Sequence, residues 1–394
     1  MSDSWNRISR FFTRFKDLTT LGFATVVSNA ISGIFWLFIA SLLGTEHYGE
    51  VSYLIAISYV ALAICSIGGS NTILVYSAKE VKIQPPIYFI TTISSIVAAG
   101  ILFLIIHNIE TSLLVITSTM FSIATAEIIG RKLYLKYSKY ILVQRVIFVA
   151  IAIGFYYVIG PYGIILGYAI SYLPFLIPVY KGLLKFNMDF SVLRTRSRFM
   201  INSYLLDLSR TFSGQTDKLF IAPLFGFAIL GNYQLGVQFL SLLTTLPGIV
   251  YSYVLPHDAS GNPNQRLKKT IIIISIILAA LGSLLGPIVM PLLFPKFTNA
   301  GEVIRIISLA VIPTTINYMY ISKFLGSENN KIVVISSGIY VIVQISGIFV
   351  LGHLFGIRGV TSAFVLATAA ESLFLFIMDR HSRKNEMPAS NVEH

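Results

Sequence analysis

Two stretches of this chain, residues 51–78 and 146–180, contain no charged side chain. A helix that is apolar all round has no face to offer water, so it belongs inside a large protein or inside a bilayer. About 20 such residues cross the hydrocarbon of a membrane. Composition decides between the two. Only 12% of the 394 residues are charged and 55% are hydrophobic, against about 25% charged in ordinary soluble domains. That little charge cannot coat a soluble protein of this length. The sequence therefore predicts an all-α polytopic membrane protein.

Other classes fall quickly. The single cysteine, Cys65, rules out a disulfide framework and a cysteine-based metal site. The six histidines are scattered and form no HExxH cluster. There is no P-loop, no GxGxxG after a strand and no GxSxG, so no enzyme chemistry, cofactor or metal is expected. No polar stretch is long enough for a soluble nucleotide-binding domain. The first apolar segment, 21–43, is longer than a signal-peptide core and reads as a retained span.

A membrane-length window predicts twelve spans: 19–43, 50–77, 86–107, 111–130, 141–160, 162–180, 199–226, 230–255, 270–294, 302–322, 332–354 and 358–378. A barrel would instead show alternating strands of about ten residues. Lysine and arginine collect on one side of these spans. That side holds Arg7, Arg10, Arg14 and Lys16, then Lys79 and Lys82, then Arg131, Lys132, Lys136 and Lys139. It continues with Lys181, Lys185, Arg194, Arg196 and Arg198, then Arg266, Lys268 and Lys269, Lys323 and Lys331, and Arg380, Arg383 and Lys384. The other side has only Lys296, Arg305 and Arg358. The positive-inside rule then puts both termini in the cytoplasm, with short outer loops that include 45–48 and 227–230. A plasma-membrane location is expected. The net charge of +12 reads as topology plus attraction to anionic lipid, and no nucleic-acid partner is expected.

The chain also repeats itself. Residues 37–44, Leu-Phe-Ile-Ala-Ser-Leu-Leu-Gly, align with 219–226, Leu-Phe-Ile-Ala-Pro-Leu-Phe-Gly, with six of eight identical at an offset of 182. The same offset puts Gly49 on Gly231. A weaker echo pairs Tyr162-Gly163-Ile164 with Phe355-Gly356-Ile357. The first match falls at the exits of spans 1 and 7, as a six-helix duplication requires. The predicted organisation is a basic N-terminus (1–18), an N-lobe (19–180), a basic cytoplasmic linker (181–198), a C-lobe (199–378) and a polar tail (379–394). Repeats of this kind mark secondary transporters, with the substrate site between the lobes.

These residues resemble the oligosaccharide flippases, the O-antigen-type transporters of the multidrug/oligosaccharidyl-lipid/polysaccharide exporter superfamily. The resemblance is carried by Phe38-Ile-Ala-Ser-Leu-Leu-Gly44, Tyr48-Gly49, Gly68-Gly69 and Asn71. In the second half it is carried by Asp217-Lys218-Leu-Phe-Ile-Ala-Pro-Leu-Phe-Gly226, Leu230-Gly231-Asn-Tyr233 and Pro256. It implies a V-shaped pair of six-helix bundles that alternate between inward- and outward-open states. It also implies export of a polyprenyl-phosphate- or pyrophosphate-linked oligosaccharide, coupled to H+ or Na+, with glycosyltransferases or a polymerase as further partners besides the bilayer.

Ionisable groups inside a membrane cost at least about 2.5–3.5 kcal/mol each at its centre, and usually line a watery path or pair with one another. Span 7 holds the densest set. Ser203, Asp207, Arg210, Gly214 and Asp217/Lys218 fall on one stripe of a helix. Two readings stay open. Arg210 and Lys218 receive the phosphate of a lipid carrier while Asp207 and Asp217 tune them. Alternatively, Asp207 pairs with Arg210 at i, i+3 and Asp217 with a neighbour. Arg145 enters span 5 and either faces a cavity or snorkels to lipid phosphate. Asn29 belongs to a polar stripe on span 1 with Thr25, Ser32 and Trp36, suited to sugar contact or to helix packing. Glu127 is an ion-coupling candidate or an i, i+4 partner of Arg131. Glu371 stands alone in span 12 as a second ion-coupling candidate, and Asp217 is a third.

The leading expectation is a lipid-linked oligosaccharide flippase. Drug/cation antiporters of the same superfamily carry an acid in span 1, and this chain has none between Asp17 and Glu46. Peptidoglycan-precursor flippases carry two helices more than the twelve seen here. A membrane glycosyltransferase needs a larger outer loop, and a non-transport component of polysaccharide synthesis leaves the charges of span 7 without a purpose.

Overall fold

The computed structural model describes residues 16–184, 190–260, 263–327 and 329–385. The basic N-terminus before Lys16, Lys185 of the linker and the tail beyond Asn385 lie outside the described residues. Every regular element among those described is a helix. Lipid offers no hydrogen bonds, so each crossing segment must satisfy its own backbone, and a helix does so.

In chain order, α1 (16–43) runs into α2 (45–66), which α3 (Gly69–Ala78) continues. Then come α4 (Gln84–Ile106), α5 (Ile109–Gly130), α6 (Tyr134–Ile159), α7 (Tyr162–Tyr172), α8 (Ile177–Leu183) and α9 (Ser191–Arg194). The second half holds α10 (Ser197–Phe225), α11 (Phe227–Leu243), α12 (Thr245–Ala259), α13 (Gln265–Leu293), α14 (Ala300–Ile307), α15 (Val311–Gly326), α16 (Asn330–Phe355) and α17 (Ile357–Asn385). Eight helices are long and apolar enough to cross a membrane, or ten if two bent pairs each count as one span. One of the eight breaks at Gly44 and makes two spans. α10 carries too many polar groups to meet that criterion, but its 29 residues reach roughly 43 Å at 1.5 Å per residue. The segments match the twelve expected spans one for one. They run further than the apolar windows at their basic ends, to Tyr134, Ala259, Gln265 and Asn385. Helical hydrogen bonding continues into the polar interface, where hydropathy gives no signal.

The turns at the opposite ends are shorter than expected. Residues 45–48 and 227–230 are not loops but the first turns of α2 and α11. A single glycine makes each turn, Gly44 (φ 74, ψ −177) and Gly226 (φ 86, ψ 167). This backbone region is essentially closed to a residue with a Cβ, which is why both aligned octapeptides end in glycine. Lys296 donates to the Leu42 carbonyl at 2.9 Å, satisfying an end carbonyl of α1.

The weaker echo needs a correction of register. The breaks between α6 and α7 and between α16 and α17 are at Gly160 (φ 74) and Gly356 (φ 58). Three residues on, a Cβ at Gly163 would collide with the Phe155 carbonyl, and one at Gly359 with the Leu351 carbonyl. The equivalent segments are therefore Gly160-Pro-Tyr-Gly163 and Gly356-Ile-Arg-Gly359. Matching the Gly-Ile dipeptides hid this G-x-x-G spacing.

Two compact units result. Among the described residues, one comprises 16–38 and 54–211, the other 39–53 and 212–385. The first is centred on Ile73, Ile87, Tyr88, Met120 and Ile123. The second is centred on Ile221, Leu230, Tyr233, Ile307 and Val311. Large apolar side chains are also exposed in rows; α13 alone exposes Ile273, Ile277, Leu281, Leu284 and Ile288. Such rows suit lipid, which is as apolar as leucine, and the protein is a multi-pass membrane protein.

Candidate functional site

In the first unit, Arg145 on α6 is the best-framed charge. Its Nε donates to Ser28 Oγ at 3.1 Å and its Nη1 to the Tyr168 hydroxyl at 3.1 Å. The guanidinium lies 5.9 Å from the centre of the Tyr168 ring, within cation–π range. The Tyr168 hydroxyl is 2.9 Å from that of Tyr59. Phe148, almost one turn beyond Arg145, stacks on Tyr168 at 4.3 Å and meets Phe35 edge-on at 4.6 Å. Ser28, Phe148 and Tyr168 are buried, so the wall that carries the cation is rigid. Among the described residues no carboxylate pairs with Arg145. An arginine has five N–H donors, and two are committed here. The result is a fixed cation with spare donors and neutral partners. Sequence had raised Arg145 but not Tyr59, Tyr168 or Ser28, because α1, α2, α6 and α7 come together only in the fold.

Two acids of this unit, Asp207 and Glu127, are partnered. Asp207 Oδ1 accepts from Asn71 Nδ2 at 2.7 Å, and no ion pair joins Asp207 to Arg210, which is exposed. Of the two readings for that pair, the i, i+3 ion pair does not form. The approach of α10 to the break between α2 and α3 explains the choice. Gly68 lies so close that a Cβ there would collide with the Met200 carbonyl, and the Tyr204 hydroxyl reaches the Ile64 carbonyl at 3.2 Å. Glu127 binds Arg131 at 2.5 Å and accepts from the Tyr88 hydroxyl. Asn29 is exposed on α1.

In the second unit, Asp217 and Lys218 are both buried. Asp217 Oδ1 takes the Lys218 ammonium at 3.2 Å, and its Oδ2 accepts from the Tyr233 hydroxyl at 2.8 Å. Lys218 also donates to the Gly214 carbonyl at 3.0 Å. The span 7 stripe is therefore not one constellation. Asp207 is bonded within the first unit, and Asp217 with Lys218 within the second.

Glu371 on α17 is held by neutral partners. Asn317 Nδ2 donates to its Oε2 at 2.9 Å and Ser336 Oγ to its Oε1 at 3.2 Å. Ser372 holds Asn317 in place through Oδ1 at 2.5 Å. No lysine or arginine pairs with Glu371 among the described residues. Near the basic helix ends, Asp258 accepts from Lys268 and from Ser322, both at 2.6 Å. Lys323, one of the residues of the basic side, pairs with Asp379.

No protein-family model matches the chain, and no curated protein matches it in sequence. Solved structures do. An inward-facing multidrug-resistance MATE-family transporter superposes with a TM-score of 0.73 and 13% identity, covering 92% of this chain and 96% of that one. The lipid II flippase MurJ, in an inward closed conformation, gives 0.72 and 14%, covering 91% and 87%. A point mutant of the Vibrio cholerae MATE transporter VcmN gives 0.62 and 11%, covering 94% and 97%. Likeness of this extent at so low an identity establishes a shared fold, and the fold of this chain is the one that MATE transporters and the lipid II flippase have in common.

Proposed function

We propose that the protein is a flippase that carries a lipid-linked oligosaccharide from the cytoplasmic to the outer leaflet of the cell membrane by alternating access. The observation that carries this reading is Arg145. A cation at membrane depth is costly, and one held by neutral hydroxyls retains its attraction for an anion. A polyprenyl phosphate or pyrophosphate supplies that anion, and the planar guanidinium fits phosphate oxygens with paired donors. The buried aromatic rings packed around it hold the guanidinium in place. Arg210, exposed on α10, is a second cation for the same headgroup. Lys218 is spoken for by Asp217 and acts in packing.

Coupling to H+ or Na+ is assigned to Glu371. Glu127 and Asp217 each have a cationic partner, whereas Glu371 has only amide and hydroxyl donors and is open to a proton or a small cation.

A drug/cation antiporter is the second reading, favoured by the same carboxylate and by the MATE likeness of the fold. Arg145 argues against it, because an unneutralised cation repels cationic drugs. The experiment is reconstitution into liposomes. A fluorescent polyprenyl-pyrophosphate-linked oligosaccharide in one leaflet should become accessible in the other, while a lipophilic cation should not accumulate. Movement of the cation alone would reject the flippase reading.

A further inference from the structure

A groove of about 540 Å³ lies between α13, α15 and α17 in the second unit, within the roughly 300–1,000 Å³ of typical ligand pockets. Its chemistry changes along its length. Lys268 and Lys269 stand near the start of α13, and Lys323 in the last turn of α15. The Lys323–Asp379 pair fastens that end of α15 to α17. Met319 and Ile316 lie one and two turns deeper on α15, and Leu373 and Phe376 form the facing wall on α17. Two turns amount to roughly 10 Å of apolar wall below the lysines.

Charge at the mouth is in excess. Asp258 neutralises Lys268 and Asp379 neutralises Lys323. Lys269 is exposed and has no carboxylate partner among the described residues. Arg380 is also exposed, stacked at 4.5 Å on the Phe376 ring that lines the groove. Two cations without a carboxylate partner among the described residues thus stand over an apolar slot.

We propose that this groove binds an anionic phospholipid, with its phosphate at Lys269 and Arg380 and an acyl chain along Ile316, Met319 and Leu373. Free phosphate would make no use of the apolar walls. A saccharide headgroup needs neutral donors and acceptors, and Gln265 and Ser372 are the polar uncharged side chains lining the groove apart from the Tyr320 phenol. Ser372 is already engaged with Asn317. The basic helix ends are also those that topology places at the anionic leaflet.

The test is native mass spectrometry of the delipidated full-length protein, titrated with phosphatidylglycerol, phosphatidylcholine or a polyprenyl phosphate. Phosphatidylglycerol should bind at least tenfold more tightly than phosphatidylcholine. Lys269→Gln and Arg380→Gln should each weaken it about fivefold, and Lys269→Glu about 25-fold, as expected for roughly one charge unit apiece near a lipid surface. Leu373→Trp should block the slot and weaken every lipid. Because Lys269 and Arg380 are exposed, the charge variants should keep the helical content and elution volume of the wild type. Equal binding of the two phospholipids, or charge variants without effect, overturns the proposal. So does a polyprenyl phosphate that displaces phosphatidylglycerol at lower concentration, which would make the groove part of the substrate path.

Discussion

Gly49 and Gly231, equivalent positions in the two halves of the chain, meet at the starts of α2 and α11. A Cβ on Gly49 would collide with the Phe227 carbonyl, and one on Gly231 with the Thr45 carbonyl. Each half thus supplies the gap that the other half's backbone fills. Tyr53 and Phe227 pack beside them at 5.7 Å. Both α2 and α11 begin directly after a one-residue turn, so neither can slide to relieve a clash. Gly49→Ala and Gly231→Ala should each cost about 1–3 kcal/mol or more, read as a lowered thermal unfolding temperature in detergent. Gly100→Ala, where a Cβ meets nothing within 4 Å, is the control and should be neutral or slightly stabilising.

Arg145 separates recognition from packing. Arg145→Ala should lower lipid-linked oligosaccharide transport at least tenfold while the folded protein remains in the membrane. Arg145→Lys keeps the charge but loses the fork, and should recover only part of the activity. If both variants transport normally, Arg145 has no part in substrate recognition.

The Asp217–Lys218 pair is predicted to be structural. Asp217→Asn leaves a buried ammonium without its counter-charge and should cost about 3–5 kcal/mol. The double variant Asp217→Asn/Lys218→Met should regain most of that loss and transport together with it. Regained stability without transport would return Lys218 to the substrate path.

Glu371→Gln should leave folding near normal, because the side-chain amide keeps an oxygen for Asn317. It should abolish the response of transport to an imposed Na+ or H+ gradient. Transport that still follows the gradient in this variant would exclude Glu371 as the coupling group.

Topology is open to cysteine labelling in a Cys65→Ala background. A cysteine introduced as Phe190→Cys should react with an impermeant maleimide only after the membrane is opened. Labelling from outside in intact cells would overturn the predicted orientation.

The sequence by itself determined the helical class, the twelve spans and the repeat whose two copies end in glycine, while the structure showed that each of those glycines is itself the turn. Each follows from local rules: lipid forces every segment to satisfy its own backbone, and a one-residue reversal at positive φ admits only glycine. It also picked out the groups that needed an explanation, Arg145, Asp207, Asp217, Lys218 and Glu371. Only the tertiary structure decided their partners. Asp207 turned from Arg210, three residues away, to Asn71, and Lys323 found Asp379 on another helix. Glu371 drew two neutral donors from α15 and α16, and Arg145 drew hydroxyls from α1 and α7. A helix fixes which of its own residues share a face, but not how that face is rotated against its neighbours. That rotation is set by close approaches such as those at Gly68 and Gly231, and it settles which charges are neutralised and which remain available to a ligand.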